Sequence, residues 1–530
     1  MQLHSLCFVL SALSQAQVYA ASGPLGHAKN GTFLGRSVPQ FKQDFFLGIP
    51  YAKPPIGEYR FRYPRSLTSK FQGVRDATKI GYTCPGKDNA TLYELNEDCL
   101  NLNIVRLSNY HPTKKLPVLV QLYGGAGQTG STNSDGNNMT FLVRRSQEMN
   151  EPVMIVFVNF RKAAFGFLAS QDVAVQENIA GFGGNPDEVT IMGQFSGGDM
   201  VLWQVHAYGG GGGKSPLRAA ISVSGSSNAI ATNSTDWYQP LYNTLVSRLN
   251  CTSAPDQLQC LRQAPYEALN ATQQDLFFFA VTDGSFLPMV GGRAKKLVKF
   301  HKVALMTGGG IDEGDSFGVP GANTEADIIT RGLQQGSGYT ISNKTWETIF
   351  KLYPDDPTQG IPTGTGEERF ASHGYMFKRQ NVISGDVVFN SNSRQDARVM
   401  SAAGMPVYKY QFATPSWTSK EFAPAAYLGA GHVTNQPFSI NHPNNFTLPW
   451  CGPREARTRL REMTSSMTVA FVATLNPNKH GRDFTYWPAY NESSNGINFV
   501  FKDSGSWAEE DTFREEAIDW LIETQAGRGQ

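Results

Sequence analysis

This 530-residue sequence lacks an excess of charge of either sign, and it lacks long apolar runs. Lysine and arginine number 46 against 45 acidic residues, so no basic surface typical of nucleic-acid binding is indicated. After the N-terminal segment, no run reaches the roughly 20 apolar residues of a membrane-spanning helix. No ligand spacing typical of a metal site and no cofactor motif is present. We therefore expect no nucleic-acid partner, no membrane span, no metal and no cofactor.

The first 20 residues have the pattern of a secretory signal. An apolar stretch at residues 6–13 is followed by the small residues Val18 and Ala20, which predicts cleavage after Ala20. The mature chain is then expected to be secreted, or to enter the lumen of the secretory pathway, as one domain of residues 21–530.

Cysteine is scarce, and its spacing fits an oxidising compartment. Once Cys7 leaves with the signal, Cys84 can pair with Cys99 and Cys251 with Cys260, each closing a short loop. Cys451 is left over and is expected to be a buried thiol. Acceptor patterns for N-glycosylation occur at Asn30, Asn89, Asn138, Asn233, Asn250, Asn270, Asn343, Asn445 and Asn491.

Short β-branched runs alternate with longer helical stretches in the first half of the chain. The runs at residues 116–122, 153–158, 189–192 and 219–223 read as buried parallel strands, so we predict an α/β fold with helices on both faces of a mostly parallel sheet. The glycine-rich segments follow these strands at their carboxyl ends. Open α/β sheets bind their ligands at that edge.

Several separated segments resemble the type-B carboxylesterase/lipase family, which includes cholinesterases and secreted fungal esterases. They are FLGIPYAKPPIGEYRF at 46–61, EDCLNLNI at 97–104, VQLYGGAG at 120–127, NFRKAAFGFLAS at 159–170, ENIAGFGGNPDEVTIMG at 177–193, RAAISVSGS at 218–226, GGGIDEG at 308–314 and YWPAYN at 486–491. The resemblance implies the α/β-hydrolase fold and hydrolysis of a small-molecule carboxylic ester through an acyl-enzyme. It leaves the ester and the oligomeric state open.

The resemblance also implies an acid and a base, in the chain order nucleophile, acid, histidine. Glu313 matches the acid position, with Asp312 and Asp315 as neighbouring alternatives. His432 matches the base, with His373 as its main rival. The glycine loop after strand 116–122 is expected to stabilise the oxyanion through Gly124 and Gly125, together with the N–H of Gly197.

The nucleophile segment departs from the hydrolase pattern G-x-S-x-G. Its window reads Gly193-Gln194-Phe195-Ser196-Gly197, with phenylalanine at the centre and serine one position late. Ser196 could serve as nucleophile only if the strand slipped by one residue, which would turn its side chains to the opposite faces of the sheet. The crossover at residues 162–176 is also shorter than in the family, which predicts a thinner helix layer beneath the segment.

Three interpretations follow from this departure. The chain is an esterase with Ser196 in a distorted turn, or the natural protein is an esterase and the Phe–Ser order reflects a sequence error such as a misplaced exon boundary. Alternatively, the chain is a catalytically dead binding protein on a hydrolase scaffold, because fold does not fix function.

Overall fold

The computed structural model describes residues 23–525, except for residues 89–91, 109–113, 167–177, 212, 214, 230–231, 233, 319–320, 332–340, 418–426, 444–450 and 453. Three predicted features lie wholly or partly outside the described residues. They are the signal at residues 1–20, the glycosylation acceptors Asn89, Asn233 and Asn445, and most of the short crossover at residues 162–176. The boundaries of the single domain, 21–530, stay a prediction.

The described strands are numbered β1 to β14 in chain order. They are Leu25–Ala28, Gly31–Leu34, Arg36–Val38, Gln43–Pro50, Val74–Asp76, Asn101–Leu107, Leu116–Leu122, Met154–Val158, Gly184–Gln194, Ala219–Val223, Ala304–Gly310, Val407–Phe412, Ile497–Phe501 and Trp507–Glu510.

Eleven of these strands form one sheet, in the order β14-β13-β12-β11-β10-β9-β7-β8-β6-β4-β3. Strands from β8 to β13 along this order run parallel, and the strands at both ends run antiparallel. β7 and β10 have the predicted bounds. The predicted run 153–158 contains β8, and the predicted run 189–192 lies within the longer β9. The predicted α/β architecture is therefore confirmed, and a small second sheet of β1, β2 and β5 is added to it.

Helices surround the large sheet and are numbered α1 to α14. They are Thr140–Glu148, Ala163–Gly166, Ser196–His206, Thr235–Arg248, Gln257–Gln263, Tyr266–Thr272, Gly291–Lys296, Glu325–Arg331, Asn343–Leu352, Phe377–Gly385, Ser391–Ala402, Gln436–Ser439, Glu455–Thr474 and Glu515–Glu523. A π-helical turn, Asp386–Asn390, joins α10 to α11.

The hydrophobic core is divided by the large sheet into two layers. Side chains of a strand alternate between faces, so Met192 of β9 packs with α1 and α13 on one side, and Ile191 packs with α3 and α11 on the other. Both layers are buried, which explains why the parallel strands read as continuous apolar runs. This packing also fixes the face of every residue at the end of β9.

Both predicted disulfides are present, with Cα–Cα distances of 4.9 Å for Cys84–Cys99 and 5.7 Å for Cys251–Cys260. Cys451 is a free, buried thiol, and burial raises its pKa to about 12. The described glycosylation acceptors differ in accessibility. Asn250, Asn343 and Asn491 are exposed, Asn138 and Asn270 are partly buried, and Asn30 is buried.

Candidate active site

The turn between β9 and α3 contains one residue, Phe195, in a strained left-handed conformation. β9 ends at Gln194 and α3 begins at Ser196, while Phe195 between them has φ 52° and ψ −122°. Its N–H donates to the carbonyl of Val223 in β10 at 2.9 Å. A sharp strand-to-helix turn of this kind is where α/β-hydrolases place their nucleophile. The structure therefore puts Phe195 at the nucleophile position.

Two glycines centre the turn on Phe195. A Cβ atom at Gly193 would lie 2.1 Å from the carbonyl oxygen of Gly197, and a Cβ at Gly197 would lie 2.3 Å from that of Leu122. Only glycine fits at either position. Both lie two residues from Phe195, which is the spacing of the hydrolase pattern.

No slip moves Ser196 into the centre of this turn. β9 pairs with β7 and β10 in continuous register from residue 190 to its end, and Ser196 is the first residue of α3. The one-residue slip that Ser196 would need as nucleophile is absent. The slip is absent because the packing of β9 opposes it: a shift by one residue would move each β9 side chain to the opposite core layer.

The predicted acid and base meet. Glu313 follows β11 and His432 lies in a distant loop, yet Oε2 of Glu313 is 2.5 Å from Nδ1 of His432. Oε1 of the fully buried Glu313 accepts from the hydroxyl of Ser224 at 2.5 Å and from the N–H of Gly310 at 2.5 Å. A carboxylate held in this way orients the imidazole and assigns its proton to Nδ1, leaving Nε2 as the acceptor.

The alternative acids and the rival histidine have other contacts. Asp312 accepts from Ala430 N–H at 2.9 Å and from Thr363, so it holds the backbone of the histidine loop. Asp315 accepts from the backbone N–H of His432 at 3.0 Å, and burial raises its pKa to about 7. The His373 ring stacks on Tyr427, with ring centroids 4.2 Å apart.

Three phenylalanine rings surround the base. The centroids of Phe195, Phe317 and Phe389 lie 4.7, 5.0 and 5.1 Å from that of His432, and the Phe195 ring is nearly perpendicular to the imidazole. Nε2 of Gln194 lies 3.4 Å from Nε2 of His432. Besides Glu313, the base therefore contacts three aromatic rings and one side-chain amide.

The glycine loop after β7 lies against Ser196. The N–H of Gly127 donates to Ser196 Oγ at 3.2 Å. No hydrogen bond within the described part of the chain joins Ser196 to His432. Space at Gly124 and Gly125 is also tight, because a Cβ there would lie within 2.6 Å of Gln194 and of Thr129 respectively.

The prediction of Gly197 as the third oxyanion donor depends on which residue is the nucleophile. An α/β-hydrolase uses the backbone N–H of the residue after the nucleophile, so Gly197 corresponds to Ser196 as nucleophile. The roles of Gly124, Gly125 and Gly197 in stabilising an oxyanion stay predictions.

A buried ion pair holds the far end of the glycine loop. Lys162 donates to Asp88 and to the carbonyl oxygen of Gly130, and Asp88 accepts from the N–H of Gly130 at 2.7 Å. The Lys162 side chain is fully buried. Because both side chains are buried, removal of either one would leave the other charge buried without its counterion.

Sequence reasoning missed Ser224, Gly127 and the rings of Phe317 and Phe389. Ser224 had a usable signal, since it directly follows β10, at the carboxyl edge of the sheet where Glu313 follows β11. Phe317 directly follows the short helical turn Glu313–Ser316 and Phe389 lies within the π-helical turn, and no motif marks either residue.

The described ranges contain neither a candidate metal site nor a candidate membrane-spanning helix. No group of three or more His, Cys, Asp or Glu side chains lies close enough together to hold a metal ion. No helix there is both long and apolar enough to cross a membrane.

The chain belongs to the Carboxylesterase family, whose sequence model matches residues 22–511. This is a family of carboxylic ester hydrolases, and the chain has the α/β-hydrolase fold that the resemblance implied.

Among similar proteins are fungal lipases. The chain is 27% identical to Lipase 4 of Diutina rugosa, over 98% of both chains, and 29% identical to Lipase 2 of Geotrichum candidum, over 82% of this chain and 86% of the relative. It is 28% identical to the secreted triacylglycerol lipase LIP1 of Gibberella zeae, over 93% and 89%. The fold is also that of Aspergillus niger EstA, with a TM-score of 0.83, 23% identity and coverage of 96% and 99%.

Proposed function

We propose that this chain is a secreted protein that binds carboxylic esters beside His432, with Glu313 and His432 as its acid–base pair. The observation that carries the proposal is the 2.5 Å hydrogen bond between Glu313 Oε2 and His432 Nδ1. It supports an imidazole held with Nε2 toward a bound substrate. The family and the lipase relatives support a carboxylic ester as the ligand.

The ester carbonyl would lie at the loop that contains Gly124 and Gly125. Backbone N–H groups of a glycine loop approach a ligand closely, and a carbonyl oxygen needs such donors. The apolar part of the ester would contact Phe195, Phe317 and Phe389, whose rings already border His432. The site thus offers hydrogen-bond donors to the carbonyl and apolar surface to the rest.

Secretion is supported by the N-terminal pattern, the two disulfides and the secreted fungal relatives. Glycans are expected first at the exposed Asn250, Asn343 and Asn491.

Cleavage of the bound ester requires an oxygen nucleophile at the turn. A phenyl ring has neither a lone pair that attacks a carbonyl nor a proton to give. For the chain as it stands, the position of Phe195 therefore favours ester binding without an acyl-enzyme.

Hydrolysis through Ser196 is a second candidate function. In that case His432 would be the general base and then the acid, and Glu313 would orient it. The observation that favours it is the place of Ser196 Oγ, 3.2 Å from the N–H of Gly127 in the glycine loop. Attack would require this hydroxyl to leave Gly127 and reach Nε2 of His432.

The two candidates are separated with the purified full chain and p-nitrophenyl butyrate. Ester binding without turnover gives saturation transfer to the probe in NMR, no release of p-nitrophenol above the buffer rate, and no fluorophosphonate label in mass spectrometry. Turnover with label on Ser196 establishes the second candidate. Absence of both saturation transfer and turnover contradicts both. Phe195→Trp, which enlarges the ring next to His432, is the matched control and weakens saturation transfer.

A further inference from the structure

We infer that Gln194, Phe195 and Ser196 block acyl transfer within the ester site, because each occupies one contact that acyl transfer would use. The inference rests on the proposed ester site and specifies its state. It predicts that Glu313, His432 and the glycine loop are functional, and that two substitutions in this tripeptide enable acyl transfer.

Phe195 occupies the position of the attacking oxygen. Its backbone has the strained turn conformation of a nucleophile, and its ring lies nearly perpendicular to the His432 ring at a centroid distance of 4.7 Å. A side chain at this position is therefore delivered to the base by the backbone alone. A hydroxyl introduced there would face Nε2 of His432 without rearrangement of the turn.

The side-chain amide of Gln194 contacts the acceptor nitrogen of His432. Because Nδ1 of His432 donates to Glu313, Nε2 is the acceptor, and the Gln194 amide lies 3.4 Å from it. This contact is long for a hydrogen bond, so an attacking hydroxyl would displace it at small cost.

Ser196 occupies a donor of the glycine loop. The Gly127 N–H that points at Ser196 Oγ is a backbone donor at the place where a carbonyl oxygen would develop charge. Ser196 is almost fully buried, so this hydroxyl has no solvent to turn to. Removing it frees the donor for the ester.

The step that Phe195→Ser makes possible follows from these contacts. The new hydroxyl oxygen bonds to the ester carbonyl carbon while its proton passes to His432 Nε2. The bond from that carbon to the alcohol oxygen then breaks, and His432 returns the proton to the departing alcohol. Water repeats the sequence on the acyl-enzyme and releases the carboxylic acid.

The test compares the full-length native chain with Phe195→Ser and with Phe195→Ser/Ser196→Ala, using p-nitrophenyl butyrate. We expect kcat/KM to rise by at least about 10³-fold in Phe195→Ser, because a nucleophile, base and acid act as a unit. The double variant gains roughly a further 10-fold from the freed donor. A fluorophosphonate labels residue 195 in both variants as its phosphorus bonds to the new oxygen and fluoride leaves.

A matched control isolates position 195. Ser227→Ala, at a buried serine outside the ester site, leaves the gain of Phe195→Ser unchanged. If Phe195→Ser fails to fold by circular dichroism, Phe195→Cys retains more of the buried volume and supplies a thiol for the same assay.

Three results would overturn the inference. The first is label on Ser196 of the native chain with turnover. The second is folded variants that bind the ester, by saturation transfer, but do not cleave it. The third is a double variant no faster than Phe195→Ser, which removes the role given to Ser196. Loss of saturation transfer in every folded protein contradicts the proposed ester site itself, so the two failures are distinguishable.

Discussion

The loops that carry Glu313 and His432 contact the turn that carries Phe195 through the Phe195 and His432 rings, but the two regions are held in different ways. Side chains hold the first region: Ser224 and His432 bond to the Glu313 carboxylate, and Asp312 and Asp315 bond to the histidine loop. Backbone holds the second: Gly193 and Gly197 approach other main-chain atoms closely, and β9 keeps its register.

This difference explains how the two regions can change. Replacing a member of the side-chain network leaves buried polar groups without partners, which costs about 1–3 kcal/mol each. The central residue of the turn can change without such a loss, because no backbone contact depends on its side chain. A departure from the hydrolase pattern is therefore expected at residue 195 rather than at Glu313.

The largest expected effect breaks the side-chain region. In the Phe195→Ser/Ser196→Ala background, Glu313→Gln is expected to lower kcat about 10³- to 10⁴-fold, because the imidazole loses the carboxylate that orients it and stabilises its charge. Steady-state kinetics with p-nitrophenyl butyrate measures this. Asp312→Asn is the matched control and should cost far less, since Asp312 contacts backbone and Thr363 rather than the ring. Equal losses in both variants would contradict the assignment.

The next effect concerns pH and Asp315. Burial raises its pKa to about 7 in the folded state, so folding favours the protonated form. Its contribution is fully present below the unfolded pKa near 4 and is lost as pH rises through about 7. Asp315→Asn should therefore stabilise the fold at pH 8, by on the order of 2–4 kcal/mol, with a gain that shrinks toward pH 4.

Urea unfolding at pH 4 and pH 8 checks this effect. Ser316→Ala keeps the Asp315 carboxyl but removes a hydrogen bond that lowers its pKa, so it should enlarge the pH dependence of the native chain. A gain from Asp315→Asn that is the same at both pH values would show that titration is not its origin.

A smaller effect breaks the backbone region. Gly197→Ala places a methyl group 2.3 Å from the Leu122 carbonyl oxygen and is expected to lower the free energy of unfolding by about 1–3 kcal/mol. Gly211→Ala is the control, because Gly211 has an ordinary extended backbone and a Cβ there would meet only the Tyr208 oxygen at 3.2 Å. If both variants melt alike, the turn is not held by close backbone approach.

The smallest expected effect concerns a single hydrogen bond to the Glu313 carboxylate. Ser224→Ala removes one of the hydrogen bonds to Glu313 Oε1 and is expected to lower kcat/KM roughly 10-fold in the same active background. Ser222→Ala removes a serine whose hydroxyl bonds to the Gly225 carbonyl instead, and serves as control. An unchanged rate in Ser224→Ala would mean that Gly310 and His432 suffice to orient the carboxylate.

Much of the fold follows from local pattern. The bounds of β7 and β10 are readable because buried parallel strands are continuous apolar runs between glycines and polar residues. The small sheet of β1, β2 and β5 is not readable, since its strands are three or four residues long and β2 pairs with β5, which lies far from it in sequence.

The site divides in the same way. Glu313 and His432 are recognisable because motifs mark them, and they come together as those motifs imply. The partner of Ser196 Oγ is not recognisable, because a hydroxyl contact with Gly127 depends on the placement of two loops to within an ångström. The register of β9 could be argued in advance, since the alternation of Ile191 and Met192 already opposed a slip.

The left-handed backbone at residue 195 has a practical consequence. Strain of this kind costs about 1–3 kcal/mol and persists only where the surroundings impose it. Here Gly193, Gly197 and the sheet impose the strained conformation, so the backbone at residue 195 places any side chain at the same point beside the His432 imidazole. The position of residue 195 is therefore fixed whichever amino acid occupies it. A thiol, a selenol or an unnatural nucleophile could be placed there and compared against one base in one unaltered scaffold.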